Sequence, residues 1–301
     1  MKKVVLIGLG AVGLTYAVKL KDKCDLKILA NKSRIDKFKT NPPVFNGEPQ
    51  YFDYILPSEK FNADLIIIST KSNGLDGAIE NIMNFTSENT EIISLINGVT
   101  SEEKISERYP YAKVLKSYFI GHSAVRIGNS VTQDGIGELV IEHDEILEHF
   151  LKQAGIKYSV PEDMDYSIWL KYAFNLFSNQ TSAILGMNFG ALKNNKHFYT
   201  FAKKIIKEVQ LIAEQKGVKN LANLESDALS SLNKMCDEGK TSMLQDVLAK
   251  RPTESDIFAG EIIRLGQKYG ISTPCNQVLY DLIKIKEEDN EHCIHSGKGR
   301  Q

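Results

Sequence analysis

Three side chains that could act on a polar substrate recur at a spacing of four residues. Lys171, Asn175 and Asn179 stand in an otherwise largely apolar segment, so in a helix they share one face. An ammonium group there could stabilise negative charge on a carbonyl oxygen and then donate a proton to it. The amides could hold a carboxylate or hydroxyl group without adding charge. The alternative is a solvated polar stripe, which the spacing alone does not exclude.

A second candidate for chemistry lies near the start of the chain. The run Gly8-Leu9-Gly10-Ala11-Val12-Gly13 follows a short β-branched run over residues 4–7 and precedes a helical pattern. In this context the glycines permit a tight turn, close approach to a pyrophosphate and close helix–strand packing. The N–H groups at the helix start favour phosphate. The run therefore predicts a dinucleotide site, against the alternative of glycines that only close a β–α turn.

The residues after the second predicted strand indicate which nicotinamide cofactor binds. That strand, over residues 26–30, is followed by Asn31-Lys32-Ser33-Arg34 and by no carboxylate. An enzyme specific for NAD usually has an acid here for the ribose 2′-hydroxyl group. Lys32 and Arg34, with Asn31 and Ser33 as neutral neighbours, suit a 2′-phosphate instead. We expect NADPH, and the alternative is a solvated basic turn.

Strand and helix patterns alternate through the first half. Apolar runs over residues 63–69 and 91–95 continue the alternation, which predicts an α/β Rossmann-type domain over residues 1–160. Residues 44–48 and 50–55 are expected to form a hairpin, and later strands are expected over 113–117, 138–141 and 157–159. Ligands bind beyond the carboxyl ends of such strands. The segments 70–72, with Lys71, and 96–99, with Asn97, are therefore candidate site residues.

From Pro161 the periodicity becomes helical, which predicts an all-α domain over residues 161–301. Helices are expected over 164–185, 198–215, 225–235, 254–269 and 275–287. Residues 241–246, which include Ser242, are expected to form a loop, with Thr253 as a helix N-cap and Glu254 in the first turn after it. The last ~12 residues, which include His292, Cys293 and His295, are expected to form a flexible tail rather than a metal site.

Composition narrows the class of protein. The chain has 301 residues, of which 42% are hydrophobic and 25% charged, and its net charge is −1. No basic block points to nucleic acid or a membrane. The four cysteines lie far apart, as in a reduced protein. Glycines interrupt the apolar run after Lys2-Lys3, which disfavours a signal peptide. We expect a soluble, cytoplasmic protein that needs no metal.

Together these segments resemble the ketopantoate reductase (2-dehydropantoate 2-reductase) family, from the glycine motif to about Lys286. The resemblance implies a Rossmann domain followed by a helical domain like the C-terminal domain of 6-phosphogluconate dehydrogenase. The most specific pieces are Trp169-Leu170-Lys171 with Asn175 and Asn179, Thr241-Ser242-Met243-Leu244-Gln245-Asp246 with Thr253-Glu254, and Gly270-Ile271-Ser272-Thr273-Pro274 with Asn276.

The resemblance implies a reaction and a set of roles. The family transfers hydride from NADPH to the ketone of ketopantoate and gives pantoate, for pantothenate and coenzyme A biosynthesis. Lys171 matches the general acid, and Glu254 the carboxylate that orients this lysine and reaches substrate and cofactor. Lys71 matches a position near the nicotinamide and its ribose. The substrate-binding positions are matched by Asn175, Asn179, Ser242 and Asn97, and Asn97 also lies on the cofactor side.

Two departures from the family pattern leave alternatives open. Asn31 stands where many relatives carry an arginine for the 2′-phosphate, and Ile96 stands where glutamine is common. A reductase of another small 2-oxo acid would use the same residues. A non-catalytic NADPH-binding sensor would need the glycine motif but not Lys171. The sequence leaves a homodimer open.

Overall fold

The computed structural model describes residues 1–121 and 123–296, without the side chains of 123 and 290–296. The described chain forms two compact units, which divide between Met164 and Asp165. Within the described residues, no helix combines the length and the apolar character that a membrane span requires.

A parallel sheet of six strands forms the centre of the first unit. It contains β1 (Lys3–Ile7), β2 (Asp25–Leu29), β5 (Asp53–Ile55), β6 (Leu65–Ile68), β7 (Glu91–Ser94) and β8 (Lys113–Leu115). The order β5-β2-β1-β6-β7-β8 is that of a Rossmann domain. Strand β1 pairs with β2 on one side and with β6 on the other, and Val4 to Leu6 are fully buried. The direction of winding therefore reverses between β1 and β6, where such folds bind ligands.

Two smaller sheets complete this unit. A four-stranded sheet has the order β10-β11-β3-β4, and a three-stranded sheet has the order β13-β12-β9. Their strands are β3 (Val44–Phe45), β4 (Glu48–Pro49), β9 (Ser117–Ile120), β10 (Ser123–Ile127), β11 (Ser130–Asp134), β12 (Glu138–Ile141) and β13 (Tyr158–Ser159). The helices of the unit are α1 (Ala11–Leu20), α2 (Lys32–Thr40), α3 (Leu75–Asn81), α4 (Ser101–Arg108) and α5 (Glu145–Ala154).

The second unit is helical throughout its described residues. It consists of α6 (Met164–Leu185), whose first residue belongs to the first unit, α7 (Phe189–Lys193), α8 (Lys196–Gln215), α9 (Leu224–Asn233), α10 (Ser242–Leu248), α11 (Ala259–Tyr269) and α12 (Pro274–Ser296). Helix α6 contributes fully buried apolar residues such as Ala173, Leu176 and Phe177 to the core. The two-part fold expected from the sequence, a Rossmann-type domain and an all-α domain, is confirmed.

Several sequence expectations differ from the structure in detail. Residues 44–49 do form a hairpin, but β5 pairs in parallel with β2, because its residues complete the edge of the main sheet. Residues 241–246 are not a loop: Thr241 caps α10 through its side chain, which accepts from the Leu244 N–H. Helix α12 continues to Ser296, because no glycine or proline interrupts it before Gly297. The tail side chains, including the His292-Cys293-His295 group, lie outside the described residues.

Candidate active site

The glycine motif forms the turn between β1 and α1, and protein packing explains two of its glycines. Gly8 has a φ of +101°, and a Cβ atom on it would lie 2.5 Å from the Ser69 carbonyl oxygen. A Cβ atom on Gly13 would lie 1.8 Å from the Gly8 carbonyl oxygen. No other residue type fits at these positions, because the turn, α1 and the end of β6 pack backbone against backbone.

Gly10 is different, because the protein itself leaves space beside it. The nearest atom to a Cβ placed there is the Ser69 carbonyl oxygen, 3.9 Å away. Gly10 is the N-cap of α1, no side chain caps this helix, and its first turn has no acidic residue. The N–H groups of Ala11, Val12 and Gly13 have no acceptor within the helix. This open, positively polarised helix start fits the pyrophosphate of a dinucleotide.

The end of β2 carries basic and neutral side chains. Asn31 is the N-cap of α2, and its side-chain oxygen accepts from the Arg34 N–H at 3.0 Å. Lys32 pairs with Asp36 at 2.9 Å on an exposed surface. Arg34 is exposed, and Asp36, the first acid after the strand, is engaged by Lys32. This arrangement suits a 2′-phosphate better than a free 2′-hydroxyl group.

Lys71 and Asn97 follow the neighbouring strands β6 and β7. Lys71 is exposed and immediately precedes a 3₁₀ turn, Ser72–Gly74. Asn97 is half-buried and precedes Gly98, whose φ is +113°. Because β6 and β7 are adjacent and parallel, both residues lie at the carboxyl edge of the sheet. The structure thus brings them to the edge that also holds the glycine motif.

Helix α4, which follows Asn97 in the chain, carries a carboxyl group with an unusual pKa, that of Glu102. Burial raises the pKa of Glu102 from 4.5 to about 7, although hydrogen bonds and Lys116 oppose the shift. One of these bonds comes from the Ser101 hydroxyl group at 2.9 Å. Glu102 therefore changes charge near neutral pH.

In the second unit, Lys171, Asn175 and Asn179 follow one face of α6, as their spacing predicts. Lys171 and Asn175 are half-buried, and Asn179 is only 5% exposed. The stripe continues into Ser182, which is fully buried. Polar side chains with this degree of burial are not a solvated surface stripe.

A hydrogen bond connects the start of α10 with the same face of α6. The Thr241 hydroxyl donates to the Ser182 hydroxyl at 3.1 Å, and the Ser182 hydroxyl donates to the Met187 carbonyl oxygen at 2.6 Å. Ser182 lies three residues beyond Asn179, so it belongs to the polar face. Ser242, the residue after Thr241, is exposed at the start of α10. The residue before Ser242 is therefore bonded to α6 three residues beyond Asn179.

The segment of Glu254 is connected to α6 one residue beyond Lys171. The Tyr172 hydroxyl lies 2.9 Å from the Ile257 carbonyl oxygen and 2.8 Å from that of Phe258. Burial raises the pKa of Tyr172 well above its ordinary value, so this group remains a donor. The expectation that Glu254 lies in the first turn of a helix over residues 254–269 is wrong. Glu254 precedes a 3₁₀ turn, Ser255–Ile257, because α11 begins only at Ala259.

Sequence reasoning missed Arg126, because the hairpin of β10 and β11 was not predicted. Its guanidinium donates Nη1–H to the Leu9 carbonyl oxygen at 2.8 Å, inside the glycine motif. The available signal was Gly128-Asn129, a two-residue turn between Ile127 and Ser130, which pair across the hairpin.

No group of three metal-ligating side chains occurs among the described residues.

Comparison with known families covers both units. The model of the family described as "Ketopantoate reductase PanE/ApbA" matches residues 4–145, and the one described as "Ketopantoate reductase PanE/ApbA C terminal" matches residues 163–287. A 2-dehydropantoate 2-reductase of Aquifex aeolicus is 26% identical over 95% of this chain and 97% of its own length. One of Pyrococcus horikoshii is 32% identical over 74% of this chain and 76% of its own length.

Solved structures with low sequence identity share the fold. A D-mandelate dehydrogenase determined with NADH and anilino(oxo)acetate has a TM-score of 0.84 at 23% identity, and covers 96% of this chain and 99% of its own. A dimeric ketopantoate reductase from Staphylococcus aureus has a TM-score of 0.76 at 20% identity, and covers 95% of this chain and 99% of its own.

Proposed function

Because the chain belongs to the ketopantoate reductase family, we propose that it reduces 2-dehydropantoate (ketopantoate) to pantoate with NADPH. This is a step of pantothenate and coenzyme A biosynthesis. The observation that carries the proposal is the half-buried polar face of α6. Thr241, the residue before Ser242, bonds to Ser182 on this face, and Tyr172, the residue after Lys171, donates to the turn that follows Glu254. A nucleotide-binding sensor would need the glycine motif but not this face.

The first domain holds the nucleotide. The start of α1 and the space beside Gly10 support binding of the pyrophosphate, with Leu9, Ala11 and Val12 lining the turn. Lys71 and Asn97, at the ends of β6 and β7, are assigned to the nicotinamide and its ribose. When bound, NADPH supplies the hydride for the ketone carbon.

Lys171 is the proton donor in this proposal. As the ketone is reduced, negative charge develops on its oxygen, and a nearby ammonium group stabilises this charge and then transfers a proton to it. Glu254 orients the ammonium group and contacts substrate and cofactor. Partial burial of Lys171 favours this role, because a positioned ammonium group acts more strongly where water is partly excluded.

The neutral polar side chains hold the rest of the substrate. Asn175, Asn179 and Ser242 can donate to the carboxylate and exchange hydrogen bonds with the hydroxyl group of ketopantoate, and Asn97 is assigned as a further substrate-binding residue. A buried amide such as Asn179 needs a partner. A polar substrate supplies one, which favours a small hydroxylated 2-oxo acid over an apolar one.

The basic residues after β2 support a preference for NADPH over NADH. Arg34 and Lys32 suit the 2′-phosphate, while the Asn31 side chain caps α2 beside it. We further propose that the protein works in the cytoplasm. We also propose that it forms a homodimer, because its structural relative from Staphylococcus aureus is dimeric.

The test is NADPH oxidation by the purified protein with ketopantoate, compared with a panel of other 2-oxo acids that includes pyruvate and the oxo acid of mandelate. We expect the highest kcat/KM with ketopantoate. Faster turnover of another acid would assign the same site to that substrate. Tight NADPH binding without turnover of any acid would indicate a sensor.

A further inference from the structure

Arg126 occupies a defined place beside the glycine motif. It lies on β10, and its Nη1–H donates to the Leu9 carbonyl oxygen at 2.8 Å, while its Nε–H donates to the Gly128 carbonyl oxygen at 3.0 Å. These bonds use two of the five N–H groups of the guanidinium. They fix the plane of the group against the turn between β1 and α1.

The hairpin that carries Arg126 is held against α1 at a second point. The Lys19 ammonium group on α1 donates to the Ile136 carbonyl oxygen, just beyond β11, at 2.8 Å. Cations thus connect the hairpin region with both the glycine turn and the far end of α1. Two such attachments make Arg126 a fixed part of the nucleotide-binding edge rather than a side chain on a detached loop.

The second observation is that Arg126 and Arg34 stand at neighbouring strand ends. Arg126 bonds to Leu9, just after β1, and Arg34 follows β2, which pairs in parallel with β1. Partial burial lowers the pKa of the Arg126 guanidinium, and the charge of Arg34 lowers it further. The two positive charges at this edge of the sheet therefore oppose each other. Like charges held together cost free energy, and a dianion between them removes that cost.

Three other groups near the ends of β1 and β2 have roles of their own. Lys32 is paired with Asp36, and the Asn31 oxygen accepts from the Arg34 N–H as a helix cap. The pyrophosphate position is served by the backbone at Gly10 and the start of α1. An anion bound by both Arg34 and Arg126 would then be a different phosphate of the nucleotide.

We propose that Arg126 is a specificity-determining residue that, with Arg34, binds the 2′-phosphate of NADPH from the hairpin side. This proposal rests on the proposed nucleotide-dependent function. It assigns recognition of the 2′-phosphate to two guanidinium groups from different elements, with the Leu9 carbonyl oxygen as the support that orients Arg126.

The test uses equilibrium binding and no turnover. Dissociation constants are measured by titration calorimetry for NADPH and NADH, and for the matched fragments 2′,5′-ADP and 5′-AMP. The variants are Arg126→Gln, which removes the charge, and Arg126→Lys, which keeps the charge but loses the planar fork. Lys19→Gln is the control, because it removes the other cation that holds the hairpin region to α1.

Arg126→Gln should weaken NADPH and 2′,5′-ADP by about 10- to 100-fold, the usual loss of a charge-assisted hydrogen bond, with NADH and 5′-AMP within about twofold. The NADPH affinity of Arg126→Lys should lie between those of the wild type and Arg126→Gln. Lys19→Gln should leave the ratio of NADPH to NADH affinity unchanged. Thermal unfolding checks that each variant is folded, and Arg126→Lys is the deciding variant if Arg126→Gln does not fold.

Two results would overturn the inference about Arg126 and leave the proposed function intact. Equal weakening of NADPH and NADH would mean that Arg126 serves the pyrophosphate or the shape of the turn. Unchanged NADPH binding in a folded variant would mean that it does not touch the nucleotide. If the wild-type protein binds neither NADPH nor NADH, the proposed function itself fails, and this inference fails with it.

Discussion

The Tyr172 hydroxyl on α6 lies 2.8 Å from the Phe258 carbonyl oxygen in the turn that follows Glu254. The two rings also stack, with centroids 6.1 Å apart. Tyr172 is the residue after Lys171, so this contact holds the segment of the carboxylate against the helix that carries the ammonium group. The placement of the Glu254 segment beside α6 thus depends on Tyr172, which is not one of the proposed site residues.

Tyr172→Phe should destabilise the helical domain by about 1–3 kcal/mol, because it removes the hydroxyl donor to the Ile257 carbonyl oxygen and one of the two donors to that of Phe258, which keeps the Ile262 N–H. Unfolding in urea, followed by the fluorescence of Trp169, measures this. Trp169 is the single tryptophan of the chain, lies 4% exposed on α6, and contacts Tyr172 edge to face. Tyr166→Phe on the same helix is the control, since its hydroxyl bonds to Asp227 in a partly exposed place. Equal stability of wild type and Tyr172→Phe would contradict this role.

The residues after β2 should contribute unequally to the choice of cofactor. Lys32→Ala removes an ammonium group that is already paired with Asp36, so Arg34→Ala should raise the KM for NADPH more than Lys32→Ala does. The double variant should raise the KM for NADPH far more than that for NADH. Lys37→Ala, an exposed change on the same helix, serves as the control. Equal effects on both cofactors would show that these cations do not recognise the 2′-phosphate.

Asn31→Asp should shift preference towards NADH without loss of stability. Aspartate caps a helix as well as asparagine does, so the bond to the Arg34 N–H is kept. Its charge repels a 2′-phosphate and accepts from a 2′-hydroxyl group, so the ratio of NADPH to NADH affinity should fall by at least about tenfold. Asn31→Ser, a neutral cap, is the matched control and should retain the wild-type preference. An unchanged ratio in Asn31→Asp would place the adenosine ribose elsewhere.

The positions of these groups were predictable to different degrees. The glycine motif, the basic turn and the polar face of α6 could be predicted, because each depends on residues close together in sequence. The contacts of Tyr172 with Phe258 and of Thr241 with Ser182 join residues 86 and 59 positions apart. Local periodicity carries no information about such pairs.

The missed elements have a local physical cause. The β10–β11 hairpin exposes Val125 and Ile127, so the apolar residues of this short strand do not form the buried face by which a strand pattern is usually recognised. Glu254 was expected in a long helix because Thr253 is a good N-cap. The Thr253 hydroxyl does accept from the Ser255 N–H, but the cap starts only a 3₁₀ turn. A capping residue indicates where a turn begins and does not determine its length.

Glu102→Gln should make the first domain less sensitive to pH. Desolvation raises the folded-state pKa of the partly buried Glu102 from 4.5 to about 7, so the protein loses stability as pH rises through this window and the group ionises. The gain of Glu102→Gln over wild type should therefore be larger at about pH 8 than at about pH 4, by up to about 3 kcal/mol. Denaturation followed by circular dichroism tests this, with the exposed Glu107→Gln on the same helix as control. A gain independent of pH would contradict the shifted titration.

The role of Lys171 is tested by hydride transfer in a single turnover, with ketopantoate and saturating NADPH, in wild type, Lys171→Ala and Asn175→Ala. Lys171→Ala should lower the rate by a factor on the order of 10² to 10⁴, the usual contribution of a positioned acid. NADPH affinity should change little, because the nucleotide is held by the other domain. In a steady-state assay, Asn175→Ala should act mainly on the KM for ketopantoate. A near-normal rate in Lys171→Ala, with ketopantoate bound, would contradict its role as proton donor and point instead to Lys71.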